Sequence, residues 1–538
     1  MILNEVDLIN AGLHAGLFER ELVNRLRPQA RMARVPLLEA LSRELGLPRT
    51  AFYLALAEAH GLPYARLDRW AFDDAAAARL PATLIKRHPM APFTAPDGTR
   101  HLAVSDPADQ TGIDAARRVL GAAVELAVVE PDALAPLIAP HSPHAPADGR
   151  DAAGDDPVAL LERLVREALM RRASDIHVES VKDGVRVRLR IDGRMQGWGG
   201  ALPRALGDGL ISRVKVLAGM DIAESRAPQD GGLAYPLGDG AEPVEMRAAS
   251  VPAKFGERIT LRVMKSDPGR QTLDALGMPA EMVERLRAAL AHPHGIVLVT
   301  GPTGSGKSTT LYAVLRELDA GALNILTAED PVEQVIPGIS QVQVSGKVGF
   351  AGALRSFLRH DPDVILVGEI RDLDTADVAL KAATTGHMVL STLHTNTAPG
   401  AITRLADIGC ERFLVAATLH GVIAQRLVRT LCAHCRRPRP ADAEERRLLG
   451  AAEKEECTVH DPHGCPRCLG TGYRGRIGLF EALWLDAELA ERIAAGAGEG
   501  EIARTARHYW RLGQDARAKV RAGTTSPAEA RPFLSLTP

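Results

Sequence analysis

The stretch Gly295-Ile-Val-Leu-Val-Thr300-Gly301-Pro302-Thr303-Gly304-Ser305-Gly306-Lys307-Ser308-Thr309 decides the fold of the core of this chain. Its apolar first part reads as a buried strand, and Ser308 to Leu318 reads as a helix. Between them lies the pattern G-x-x-x-x-G-K-[ST], a P-loop. Glycines let the backbone turn its N–H groups inward around a phosphate, and the new helix start adds partial positive charge. Lys307 is placed to reach the β- and γ-phosphates of a nucleotide, and the Ser308 hydroxyl to ligate Mg²⁺. A glycine-rich turn with no ligand is the alternative reading of the same residues.

A P-loop needs acidic partners on neighbouring strands. Asp363-Val-Ile-Leu-Val-Gly-Glu369 is an apolar strand that delivers Glu369 to its carboxyl end, where ligands bind in open parallel sheets. A carboxylate there can hold Mg²⁺ through water or orient the attacking water. A second strand, Asn324-Ile-Leu-Thr327, delivers Glu329, Asp330 and Glu333, which could polarise water. A third, His387 to Leu393, ends at His394-Thr395-Asn396, where an imidazole could sense the γ-phosphate. Alone, each of these reads equally well as a solvated acidic loop or a strand-capping histidine. Three strand ends downstream of one P-loop favour a nucleotide site.

Outward from this core, 538 residues suffice for about three or four domains. Hydrophobic content of 46% with 25% charged residues describes an ordinary soluble protein, and 4% aromatics means that cores rest on Leu, Val, Ile and Ala. A formal net charge of −2 argues against nonspecific nucleic-acid binding. The amino terminus lacks a basic and apolar leader pattern, and no run of about 18 apolar residues occurs, so a cytoplasmic chain without membrane insertion is expected.

Residues 1–138 form a first region, with a helix over Ala51–His60 and strands at His101–Ser105 and Val124–Val129. Residues 139–157 carry four prolines and almost no bulky apolar side chain, the composition of a flexible linker. Residues 158–268 form a second α+β domain, opening with an amphipathic helix over Val158–Arg171. In it, Val185-Arg-Val-Arg-Leu-Arg-Ile191 alternates apolar and basic side chains, which puts arginines on one face of a sheet. The P-loop region runs from 269 to 538.

Of six cysteines, four form Cys432-Ala-His-Cys435 and Cys465-Pro-Arg-Cys468, separated by 29 residues. Two C-x-x-C knuckles can build a tetrahedral S₄ site suited to Zn²⁺, and disulfides or a redox pair are the alternatives. His434, His460 and His463 are substitute ligands. Cys410 reads as a small core residue and Cys457 as a surface thiol.

The set Gly301–Thr309, Thr327-Ala-Glu-Asp-Pro-Val-Glu333, Asp361–Asp372 and Ser391-Thr-Leu-His-Thr-Asn396 resembles the Walker A, Asp box, Walker B and His box of the type II/type IV secretion ATPases. The likeness continues at Ala173-Ser-Asp-Ile-His-Val-Glu179, Arg190-Ile-Asp-Gly193, Ala218–Glu224, Gly256-Glu-Arg258 and, after the cysteines, Gly470–Gly478. Residues 50–135 look like the family's N-terminal docking domain. The resemblance implies an α/β, RecA-like P-loop ATPase domain with an inserted zinc subdomain at 430–479. A PAS-like α+β domain and an α/β docking domain precede it. It further implies ATP, Mg²⁺ and structural Zn²⁺ as cofactors, and a homohexamer peripheral to the inner membrane through platform proteins. Arginines of the second domain would reach the phosphates, Arg190 and Arg247 first, then Arg258 and Arg262. Glu329, Glu369 and His394 are the implied catalytic residues. The implied function is to power type II secretion, with pilus assembly as the alternative. A DNA-uptake motor and a nucleotide-binding scaffold without turnover are the rival readings. Gly232 follows Gln229-Asp-Gly231 where the family usually has arginine, Ala328 replaces a bulkier residue, and no cyclic-dinucleotide pattern is found near the amino terminus.

Overall fold

A computed structural model describes residues 5–121, 123–138, 156–237, 243–264, 272–318, 320–452 and 455–534. They divide into two compact units: one of residues 1–266 with 463–472, the other of 267–462 with 473–538.

In the first unit, helices Glu5–His14, Arg20–Ala33, Leu37–Leu45 and Arg49–Ala59 bury Leu41 and Phe52 completely. A four-stranded sheet follows, in the order Ala71–Phe72, Met90–Thr94, Arg100–Val104 and Glu125–Val128. Most of the expected linker, 139–155, lies outside the described residues. The next helix, Pro157–Met170, starts where Asp156 accepts a hydrogen bond from the Val158 N–H and Pro157 presets the first turn.

That helix and Arg204–Leu217 cover one face of a six-stranded antiparallel sheet. Its strands run in the order Arg194–Gly197, Gly184–Ile191, Ala173–Val181, Gly256–Val263, Val244–Ala253 and Gln229–Tyr235. Val185, Val187, Leu189 and Ile191 all point into the core, so the alternating arginines take the other face, as the period of a strand requires.

The second unit is built on an eight-stranded sheet. Its order is Ser340–Gln343, Ile325–Glu329, Val364–Val367, Met388–Leu393, Gly295–Thr300, Leu419–Leu431, Tyr473–Trp484 and Tyr509–Trp510. The first six run parallel to one another, and the last two pairings are antiparallel. Helices pack on both faces, with Ile296 and Leu298 in one core and Val297 and Val299 in the other. A strand buried on both faces must be apolar throughout, which is why 295–300 reads as a run and not as an alternation. Carboxyl ends of the parallel strands therefore converge on one edge of the sheet, where the loops carry the polar residues. Among the described residues, no helix is long and apolar enough to cross a membrane.

Candidate nucleotide site

The loop after Gly295–Thr300 turns on glycines with positive φ, 144° at Gly301 and 91° at Gly306. A Cβ on Gly301 would sit 2.5 Å from the Gln425 carbonyl oxygen, and one on Gly306 would sit 2.7 Å from Gln425 Nε2. Only glycine lets the loop lie this close to the adjacent strand. The helix then starts at Lys307 and ends at Glu317. Lys307 is buried, and its Nζ donates to the carbonyl oxygens of Gly301 at 2.8 Å and Pro302 at 3.2 Å. Burial pulls its pKa down, the Glu369 carboxylate opposes that, and the nearby Arg426 charge adds to it. Ser305 Oγ is buried with no hydrogen-bond partner. An unsatisfied hydroxyl and a desolvated ammonium held only by carbonyls form a cradle that fits a polyphosphate.

Glu369 stands just past Val364–Val367. Gly368, before it, is fixed by its N–H to the Ala328 carbonyl at 2.8 Å and by Thr392 Oγ1 donating to its own carbonyl at 2.7 Å. The Glu369 carboxylate is mostly buried between the guanidinium of Arg371 and the imidazole of His394, whose Nε2 lies 3.3 Å from Oε2. Glu329 is also buried, and Thr327 Oγ1 at 2.6 Å, Gln341 Nε2 at 3.0 Å and the Tyr312 hydroxyl all donate to it. Burial and this bond to a carboxylate push the Tyr312 pKa up. Asp330 and Glu333, in contrast, are exposed, so only one carboxylate of that loop is held in place.

Sequence reasoning missed Arg371, Tyr312, Gln341 and Arg426. Tyr312 and Gln341 act from a helix and a neighbouring strand and belong to no local motif, while Arg371 lies two residues from Glu369, inside the stretch Asp361–Asp372. The polar pair Gln425-Arg426 inside the apolar strand Leu419–Leu431 is a signal that could have found the fourth, because a buried strand carries polar residues only where they have partners.

The expected cationic face of the six-stranded sheet is an ion-pair lattice. Glu179 takes Arg188 at 2.5 Å, Arg186 at 3.0 Å and Arg258 at 3.2 Å, and Asp175 takes Arg262 at 3.1 Å and Arg190 at 3.6 Å. Burial works against ionised Glu179, but hydrogen bonds from Arg188 and Arg186 outweigh it and hold its pKa below the usual glutamate range. Arg258 also reaches His177 Nδ1 at 3.2 Å, and burial together with the Arg258 charge lowers the histidine's pKa. Arg247 is exposed and has no side-chain partner among the described residues.

Cys432, Cys435, Cys465 and Cys468 bring their Sγ atoms within 4.8 Å of one another. None of the six cysteines is bridged to another. Backbone N–H groups of Cys465 and Gly472 point at Cys468 Sγ at 3.1 and 3.2 Å, the kind of support that stabilises thiolate. Four soft donors at this spacing suit Zn²⁺. Cys410 is buried as expected. Cys457 is buried too, packed with Val428, Leu449, Val459 and Leu479, and is not a surface thiol.

The family model described as type II/IV secretion system protein matches residues 151–531, and that of the MshEN domain matches residues 60–148. The chain is 48% identical over 375 residues to the type II secretion system ATPase E of Vibrio cholerae, covering 69% of this chain and 74% of that one. It is 46% identical over 384 residues to the type II secretion system protein E of Aeromonas hydrophila, covering 70% and 76%. The ATPase DotB of Legionella pneumophila shares the fold, with a TM-score of 0.54 at 23% identity over 73% of this chain and 98% of that one.

Proposed function

The chain belongs to the type II/IV secretion system protein family, and on that premise we propose that it hydrolyses ATP to power type II protein secretion. The observation that carries this reading is the gathering of Lys307, Glu369 and His394 at one edge of the parallel sheet, with Glu329 held by three donors beside them. The loop Gly301–Thr309 binds the phosphates, and Lys307 exchanges its two carbonyls for phosphate oxygens, which neutralises a desolvated charge. Ser308 and Glu369 would hold Mg²⁺, which would supply positive charge against the γ-phosphoryl oxygens. Glu369 orients the attacking water and takes its proton. His394, against Glu369, senses whether the γ-phosphate is present. Glu329, kept in one rotamer by Tyr312, Thr327 and Gln341, polarises the site from the neighbouring strand.

The working assembly is a homohexamer, with Arg190 and Arg247 adding positive charge to the phosphates during turnover. Its place is the cytoplasmic side of the inner membrane, docked through residues 1–138 on platform proteins. The names of the relatives favour secretion over pilus extension. The four cysteines would hold a structural Zn²⁺, four thiolates being the ligand set of a closed structural site. Such a site contributes on the order of 10 kcal/mol to local folding.

Steady-state ATP hydrolysis by the full chain, with Lys307→Ala as control, tests the enzymatic reading. Turnover that the control abolishes is expected; equal turnover in both proteins would overturn it. Metal analysis should find one zinc per chain, lost in Cys465→Ser, with new protease cleavage between Cys432 and Cys468.

A further inference from the structure

Arg426 lies on Leu419–Leu431, the strand that runs alongside the P-loop strand. Its Nη2 donates to the carbonyl oxygen of Asn396 at 2.9 Å and to Asn396 Oδ1 at 3.1 Å, and its Nη1 donates to the Gln425 carbonyl at 2.9 Å. That same Nη1 lies 3.2 Å from where a Cβ on Gly301 would be. One guanidinium thus holds the residue two after His394 and lies beside the first glycine of the phosphate loop. Every acceptor it has is neutral. It makes no ion pair among the described residues, although it is half-buried. Burial lowers its pKa, against the more distant charge of Glu481.

The segment after His394 is pinned residue by residue. The Thr395 N–H donates to Thr300 Oγ1 at 2.9 Å, Thr397 caps the next helix by accepting from the Gly400 N–H, and the Ala398 N–H donates to Glu481 at 2.6 Å. His394 itself is exposed and meets only Glu369 through its side chain. Its position is therefore inherited from its neighbours. Of those anchors, Arg426 alone is cationic, and it also borders the loop that takes the phosphates.

We propose that Arg426 is a positioning residue of the hydrolytic site: it clamps Asn396 against the phosphate loop and so sets His394 on Glu369 when nucleotide fills that loop. The proposal rests on the ATPase reading above. A lysine cannot replace it, because one ammonium on a flexible stem cannot span the Gln425 carbonyl and both Asn396 oxygens from a planar fork. Misplacing a reacting group by about 1 Å costs up to about 10²-fold in rate.

The experiment measures steady-state hydrolysis by the full chain as wild type, Arg426→Gln, Arg426→Lys, Asn396→Ala, His394→Ala and the double variant Arg426→Gln/His394→Ala, with Lys307→Ala as control. Expected for Arg426→Gln is a kcat lower by about 10- to 100-fold, with KM for ATP within about threefold of wild type. In the His394→Ala background the same substitution should cost less than about threefold, since a residue acting through His394 has nothing left to position. A substitution that merely lowered the folded fraction would cost the same in both backgrounds. Equal cost in both backgrounds overturns the proposal, as does a raised KM with kcat unchanged. Should Arg426→Gln not fold, Arg426→Lys and Asn396→Ala, each combined with His394→Ala, carry the same comparison. Wild-type turnover that survives Lys307→Ala would sink the ATPase reading instead, a result separate from either.

Discussion

The nucleotide site and the arginine-bearing sheet both concentrate charge, and they handle it in opposite ways. Around the P-loop, Lys307 and Arg426 are partly desolvated and bonded only to carbonyl and amide oxygens. On the sheet, Arg186, Arg188, Arg190, Arg258 and Arg262 share two carboxylates, Glu179 and Asp175. A cation whose partners are neutral keeps its attraction for an incoming anion, whereas a cation already paired has spent most of it. The first arrangement leaves positive charge free to meet an anion, and in the second most of that charge is already met by carboxylates. Arg247, exposed on that same sheet, has no side-chain partner among the described residues.

This contrast can be broken by substitution, and the largest effect should come from Lys307→Ala. Hydrolysis should fall about 10³-fold or more, the loss expected when a dominant charge stabiliser in a dry site is removed. Glu369→Gln keeps the shape but cannot take a proton, and kcat should drop about 10²- to 10³-fold with nucleotide binding retained in a fluorescent-nucleotide titration. Arg247→Ala should lower kcat about 10²-fold, while its thermal unfolding shows a stability within about 0.5 kcal/mol of wild type. Arg188→Ala should do the reverse, with kcat little changed and a melting point lower by about 2–4 °C. Similar kinetic losses for Arg188→Ala and Arg247→Ala would erase the distinction drawn between paired and unpaired arginines.

The smallest effect lies in acid. Folded Glu179 has a pKa held below that of the unfolded chain, so its ion pairs stabilise the fold fully above the usual glutamate range. As pH falls from that range toward the lowered folded value, the unfolded chain takes up a proton first and that stability is lost. Glu179→Gln removes the group, so its melting temperature should depend less on pH than wild type across that acid window and be lower than wild type above it. Parallel curves for the two proteins would show that Glu179 does not carry the pairing energy.

Much of the nucleotide site is legible in the amino-acid sequence alone. The P-loop, the strands that end at Glu329, Glu369 and His394, and the two cysteine pairs all carry local patterns whose spacing forces their geometry. The ion-pair lattice is half legible. Ala173–Val181 and Gly184–Ile191 are joined by a two-residue turn, and antiparallel register sets Arg186 opposite Glu179 and Arg190 opposite Asp175. The arginine strand by itself reads as a cationic face; set against the strand that precedes it, the same arginines read as pairs. Tyr312 and Gln341 are illegible for a different reason. Each reaches its partner across the sheet or from a covering helix, and such pairs leave no spacing in the sequence. Cys457 follows the same rule, because burial against Val428 and Leu479 depends on strands that only the fold brings together.

The strand Leu419–Leu431 joins two of these places in one piece of backbone. It runs past the phosphate loop at Gln425 and Arg426 and ends one residue before Cys432. Six residues of extended chain span about 20 Å, and antiparallel pairing with Tyr473–Trp484 stiffens the strand along that length. Its register shifts against Tyr473–Trp484 between Arg429 and Leu431, and against Gly295–Thr300 between Ile296 and Val297. The ribbon is in effect a rod, with its grip against the glycines of the phosphate loop and its tip at four sulfur atoms.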